Sequence, residues 1–360
     1  MKAIRLHLPV MLAILTYTVL TSMRPAAHAA DPPAGPLSEL IVLNWSEYID
    51  PALVGEFEKR FNTRVKEIYY QSDEKKDEML LHTKGKGYDV VIGSGHNALS
   101  YRKRKWLSPV TDLGIPNGKY IDEKFFNAYP ELAGYGVPYT WGFTGIVYRK
   151  DLIGETVTSW NQLFRPAPLL RGRIMMIDDS EDTIGPALKA LGYPVNSDQP
   201  EHYDAVEKLL LAQKPFVKKF GAMALTSENA MVTGKIWMAP AYNGDALALH
   251  EIHPAIELAL PAEGVSLWVD FIMVMEASPR KQLAMDFINF IHEPEHAAQL
   301  AEYLMYATPN QGATAHLSAQ HLNNPLIYPA TEVLAKSEFE RPASPRVIHK
   351  RNIIFKKLLP

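Results

Sequence analysis

Five carboxylates, Glu47, Asp179, Asp182, Asp245 and Asp270, fall at the ends of predicted strands or the starts of loops. Beside them stand the rings of Trp45, Tyr48, Trp141, Tyr242, Trp268 and Tyr306. A carboxylate pairs with an ammonium group, and a Trp or Tyr face attracts a cation and covers methylenes. The mixture suits a slender cation that repeats both features, such as a linear polyamine. Each carboxylate is expected to be ionised at neutral pH unless crowded. A cluster of them without a cation repels itself, so a bound cation favours closure of whatever cleft holds them. Any one of these aspartates serves equally well as a helix cap or turn former. The set has chemical meaning only if the fold brings it together.

The elements that must do so are legible. Leu40-Ile41-Val42-Leu43 is an apolar strand, Asn44-Trp45-Ser46-Glu47-Tyr48 its exposed turn, and Asp50-Pro51 a helix start. In open α/β sheets ligands sit beyond the carboxyl ends of strands, where this turn lies. Leu53, Val54, Phe57 and Phe61 follow at helical spacing. A second strand is expected near Val65–Tyr69, a helix over Asp73–His82, and a third strand over Tyr88–Ser94, ending in Ser94, Gly95 and His96. This βαβαβ alternation predicts a parallel sheet covered by helices.

The aromatic, glycine-rich stretch Pro138–Gly145, followed by a strand over Ile146–Tyr148, marks a crossing between lobes. A second alternation then runs through strands at Arg173–Ile177, Ile236–Ala241 and Ile256–Leu260, and helices at Ile184–Leu191 and His202–Ala212. The buried run Leu267–Val274 carries the chain back. From 280 onward the chain is mainly helical, and no internal repeat appears.

With 360 residues there is room for two cores. The absence of cysteine excludes disulfides, thiolate metal sites, cysteine nucleophiles and a lipid anchor on cysteine. No basic stripe points to nucleic acid. Lys2 and Arg5, the apolar run Leu8–Leu20 and the small residues Ala27-His28-Ala29 read as a cleaved signal peptide over residues 1–29, with a flexible leader over 30–38. Removing that peptide takes away Lys2, Arg5 and Arg24 and no acid, so the formal charge moves from −3 to −6. An acidic mature chain suits a cationic ligand.

Over essentially its whole mature length the sequence resembles the periplasmic spermidine/putrescine-binding proteins of bacterial polyamine ABC transporters. The resemblance is carried by Asn44–Tyr48, Tyr88–Val91 with Ser94, Pro138–Gly142, Asp178-Asp179, Asn243–Asp245, Trp268–Asp270 and Tyr306–Asn310. It implies a two-lobed α/β fold, each lobe a mixed, mostly parallel sheet flanked by helices, with hinge crossings near 145 and 271. Residues 30–145 and 271–315 would form one lobe, 146–270 and 316–360 the other, with the ligand cleft between them. Trp45, Ser46, Glu47, Tyr48, Ser94, Asp179, Asp182, Trp268, Asp270 and Tyr306 match ligand-contacting positions, and Asp245 matches a ligand aspartate of putrescine-type members.

The implied partners are a polyamine and an inner-membrane ABC permease, or a membrane sensor, acting on a periplasmic monomer that needs no cofactor. The sequence departs from the pattern at His96, where an aromatic is usual, at Tyr242, where a tryptophan is usual, and at Glu181, where the spermidine type has an arginine. A neutral His96 accepts a bond from an amine, whereas a protonated one repels it.

An enzyme reading has less behind it. His292-Glu293-Pro294-Glu295-His296 spells the zinc-protease pattern, but Pro294 interrupts the single helix that the chemistry needs. His250-Glu251-Ile252-His253 has the wrong spacing, and Gly93-Ser94-Gly95-His96 lacks the full nucleophile-turn pattern. Lys103-Arg104-Lys105 reads as a solvated helix end, and Arg346–Lys357 as a basic helix lying over one lobe.

Overall fold

The computed structural model describes residues 38–110 and 114–359. The expected signal peptide and nearly all of the leader lie outside them. Ser38, expected at the end of the leader, instead begins the first strand.

Among the described residues ten strands make one mixed sheet: β1 Ser38–Trp45, β2 Thr63–Tyr70, β3 Val90–Ser94, β4 Val137–Arg149, β5 Ile174–Met176, β6 Val217–Phe220, β7 Met238–Tyr242, β8 Ile256–Ala259, β9 Ser266–Val274 and β10 Glu338–Phe339. Their order is β2-β1-β3-β9-β4-β7-β5-β6, with β10 beside β9 and β8 beside β4. The β2-β1-β3 end and the β7-β5-β6 end are parallel, as the alternation requires. The middle is antiparallel, because β4 and β9 are long strands shared by both ends. β4 pairs with β9 as far as Thr144 and with β7 from Thr144 onward. β9 meets β3 from Asp270 onward. All thirteen residues of β4 and all nine of β9 are buried, so they read as continuous runs rather than alternating ones. Pro138, which has no N–H to give, sits at the register shift of the β4–β9 ladder.

The first helix, Pro51–Phe61, forms for the expected reasons. The Asp50 carboxylate accepts from Ala52 N at 2.8 Å, Pro51 opens the helix, and Asn62 ends it in the left-handed conformation. Its apolar stripe buries Leu53 and Phe57, and the Phe57 ring packs 4.9 Å from that of Phe287 in the helix Lys281–Ile291. Pro294 breaks the histidine pattern as expected, opening a separate helix, Pro294–Leu304. The basic tail forms the helix Pro345–Leu358, packed on the helices Ser180–Ala190 and Pro200–Gln213.

A single carboxylate ties β1 to the segment that leaves β9. Asp89, 1% exposed, accepts from Ile41 N at 2.8 Å, from Ser278 Oγ at 2.5 Å and from Arg280 Nη1 at 3.4 Å. Asp89→Ala strands a buried backbone donor and is expected to cost roughly 3 kcal/mol, read from the urea midpoint. A loss below about 1 kcal/mol would show that this tie contributes little.

Candidate functional site

The candidate residues collect where β4 and β9 pass between the two ends of the sheet. β9 contributes Trp268 and Asp270. Asp270 lies opposite Ser94 of β3 on one side and Thr140 of β4 on the other, and is 7% exposed. Burial pushes its carboxyl up to about 6; the charge of Asp73 adds to the rise, while Lys76 and a hydrogen bond from Tyr48 oppose it. Tyr48 is held in turn by its own carbonyl, which accepts from the Tyr139 hydroxyl at 2.7 Å.

The rings form a connected wall. Trp268 meets Tyr306 edge-on at 4.9 Å and Tyr242 edge-on at 6.1 Å, and Tyr306 meets Tyr48 at 6.2 Å. Gly142 of β4 lets Trp268 lie flat against the strand, since a Cβ there would come within 2.4 Å of the indole. The hydroxyls of this wall hold carboxylates. Tyr306 donates to Asp245 at 3.1 Å, and Tyr242 donates to Asp182 at 2.5 Å. Thr144, where β4 changes partners, donates to the other oxygen of Asp182 at 3.3 Å.

Asp182 is placed by a helix that begins earlier than its periodicity predicts. The pattern suggests a start at Ile184, but Asp179 caps the helix at Ser180, accepting from Glu181 N at 2.7 Å and Asp182 N at 3.0 Å. Asp182 therefore sits in the first turn. Burial brings its carboxyl up to about 6, with the Tyr242 bond opposing and Glu181 adding. Asp245 is brought to about 6 by burial, against the pull of Tyr306. Asp179 is pushed well above the ordinary range by burial and by its neighbour Asp182. Asp179 is thus the crowded carboxylate for which the expectation of free ionisation made its exception.

All three departures have visible consequences. His96 Nε2 lies 3.1 Å from Glu181, whose other oxygen pairs with Arg351 at 2.6 Å. The His96–Glu181 contact links the helix after β3 to the helix Ser180–Ala190, and Arg351 fastens the latter to the C-terminal helix. Tyr242 keeps the edge-on contact with Trp268 and adds a hydroxyl for Asp182.

Three expected residues stand apart from the buried cluster. Ser46 and Glu47 are exposed on the turn, Glu47 with φ 57°, and the groups that feel the charge of Glu47 are the exposed Tyr69 and Tyr303. Trp45 packs against Tyr70 at 4.4 Å.

Other members were not foreseen. Asp73 accepts from Ser94 Oγ at 2.7 Å and pairs with Lys76. Both follow β2, so the strand-end rule applied to them, but Asp73-Glu74-Lys75-Lys76 reads as an ordinary surface helix. Glu340 follows the two-residue β10 and carries no sequence signal. It is 5% exposed, and burial and the charge of Asp182 push it well above the ordinary range. Glu340 Oε1 and Trp268 Nε1 are buried polar atoms without a hydrogen-bond partner.

Two sheet ends joined by shared strands, with acids and rings gathered at the crossing, are the build of a two-lobed solute-binding protein. The family model for bacterial extracellular solute-binding proteins matches residues 52–327, and the chain belongs to that family. It is similar to the spermidine/putrescine-binding periplasmic protein of Salmonella typhimurium, 30% identical over 319 residues and 88% of each chain. It is also similar to the norspermidine sensor of Vibrio cholerae, 28% identical over 83% of this chain and 82% of that one. Among solved structures it resembles a putative spermidine/putrescine ABC transporter protein from Listeria monocytogenes, with a TM-score of 0.80, 28% identity, and 89% of this chain and 98% of that one covered. The family and these relatives are solute-binding proteins rather than enzymes.

Proposed function

We propose that the protein captures a polyamine such as spermidine or putrescine in the crevice between its lobes and presents it to an inner-membrane ABC permease. It does so as a periplasmic monomer, after loss of residues 1–29, and it turns nothing over. The lobes divide near 145 and 271, and the crevice is lined by the residues gathered at the crossing, with Ser46 and Glu47 at its mouth. One observation carries the reading. Asp179, Asp182, Asp245 and Asp270 stand among Tyr48, Tyr242, Trp268 and Tyr306, and none of the four pairs with a basic side chain among the described residues. A chain of ammonium groups and methylenes supplies what both sets lack, and it brings charge to carboxyls that burial otherwise keeps partly protonated.

Calorimetry with putrescine, cadaverine, spermidine, norspermidine and spermine tests it. Binding of at least one with Kd below about 100 μM is expected, and no binding at that level to any of them counts against the reading. The similarity to a norspermidine sensor supports a second output, docking of the closed form on a membrane receptor. Deleting the gene separates the two: lost uptake supports delivery, whereas unchanged uptake with altered signalling supports sensing.

A further inference from the structure

Lys75 and Lys76 are neighbours with opposite fates. Lys75 is exposed, paired with Glu78 at 2.7 Å on the helix surface. The side chain of Lys76 is wholly buried. Its ammonium pairs with Asp73, stands 5.2 Å from the centre of the Tyr70 ring, and fills the space in front of Gly93, where a Cβ would come within 2.4 Å of Nζ. Tyr70 packs in turn against Trp45, the two rings tilted by 53°, and Asp73 takes the Ser94 hydroxyl. Ser94 is the strand partner of Asp270. The lysine therefore sets a methylene stem and a positive head against a carboxylate and a ring face, beside the Ser94–Asp270 strand pair of the cluster. A ligand amine asks for the same surroundings.

We propose that Lys76 is a built-in occupant of one ammonium subsite, so that the cleft accepts amines with fewer charges and discriminates against a longer polyamine whose extra ammonium would need that place. The proposal rests on the polyamine reading and sharpens it to a ligand class: diamines over triamines. Two physical effects act together. The lysine head fills the volume beside Gly93, and its charge repels a second ammonium approaching Asp270 along the same wall. Asp73, which would otherwise offer a free carboxylate at that end, is already neutralised. Gly93 is part of the arrangement, because any side chain there would displace the ammonium.

The test compares putrescine, spermidine and norspermidine by calorimetry on wild type, Lys76→Met and Lys76→Arg. The wild type is expected to prefer the diamine. Lys76→Met frees Asp73 and the space before Gly93, and is expected to raise triamine affinity relative to putrescine at least tenfold; Lys76→Arg keeps the charge and is expected to keep the wild-type preference. If Lys76→Met does not fold, Lys76→Gln removes the charge while its amide still donates to Asp73, and is expected to shift the ratio in the same direction. A triamine-to-diamine ratio unchanged within threefold in the folded variant overturns the inference, as does a wild type that binds triamines more tightly than putrescine. Absence of binding to any of these amines by the wild type removes the polyamine reading itself, a result distinct from an unmoved ratio.

Discussion

Asp270→Ala is expected to abolish polyamine binding without weakening the empty protein. The residue lies in the strand common to both ends of the sheet, between Ser94 and Thr140, with Tyr48 beside it. An ammonium seated there loses the carboxylate it faces when the side chain is cut back, and a buried unpaired cation costs roughly 3–5 kcal/mol, or about 200-fold to 5,000-fold in Kd. The same change has the opposite effect on the unliganded fold. Burial already penalises the ionised carboxyl, so its removal relieves a charge that the empty protein holds unwillingly. Lost affinity with an unchanged or raised melting temperature is therefore the expected signature. It separates this residue from a structural carboxylate such as Asp89, whose loss lowers stability. Wild-type affinity in Asp270→Ala would show that the ligand sits elsewhere.

The sequence disclosed the site's composition better than its geometry. Strand ends could be found because apolar runs stop at small or polar residues, and that rule located Ser94, Tyr242 and the turn after β1. Trp268 and Asp270 were expected by a strand end, but they lie inside the nine-residue buried strand β9, where Asp270 faces Ser94 and Thr140. Side-chain direction was not legible. The turn Trp45–Tyr48 brings Tyr48 to Asp270 but leaves Glu47 with a positive φ among exposed tyrosines, and nothing in the residue types decides which way such a turn points. The start of the helix Ser180–Ala190 was misplaced because Pro186 and the acidic run before it disguised a cap at Asp179. Lys76 was hidden most completely. An Asp–Lys pair three residues apart is a common surface motif, and only the approach of Tyr70 and Gly93 from other elements buries this one. The antiparallel middle of the sheet escaped local reading as well. Alternation of strands and helices reports neighbours along the chain, whereas β4 and β9 pair across more than a hundred residues.

The second large effect is on pH. Asp182, Asp245 and Asp270 are each brought by burial to about 6 from an ordinary 3.8. In the unfolded chain these groups lose their protons near pH 4, whereas in the empty folded protein they hold them until about pH 6. Folding therefore takes up protons between those limits. The three carboxyls favour the fold below about pH 4, and that contribution is lost as pH rises through 6. For Asp270 alone it is on the order of 2–3 kcal/mol. Carboxylates held low act in the other direction: Asp73 by Lys76, and Glu257 by its hydrogen bond from Lys150. They lose their stabilising share only in acid. The empty protein is thus expected to melt highest near pH 5 and lower at pH 7.5. Polyamine reverses the slope, because ammonium groups hold the same carboxyls ionised and binding expels their protons. Affinity is expected to rise at least tenfold from pH 5 to pH 7.5, and the binding heat at pH 6 to vary with the ionisation enthalpy of the buffer. Affinity that is flat across the range, or an empty protein whose melting temperature climbs steadily from pH 5 to 7.5, would mean that these carboxyls are not the groups that meet the ligand.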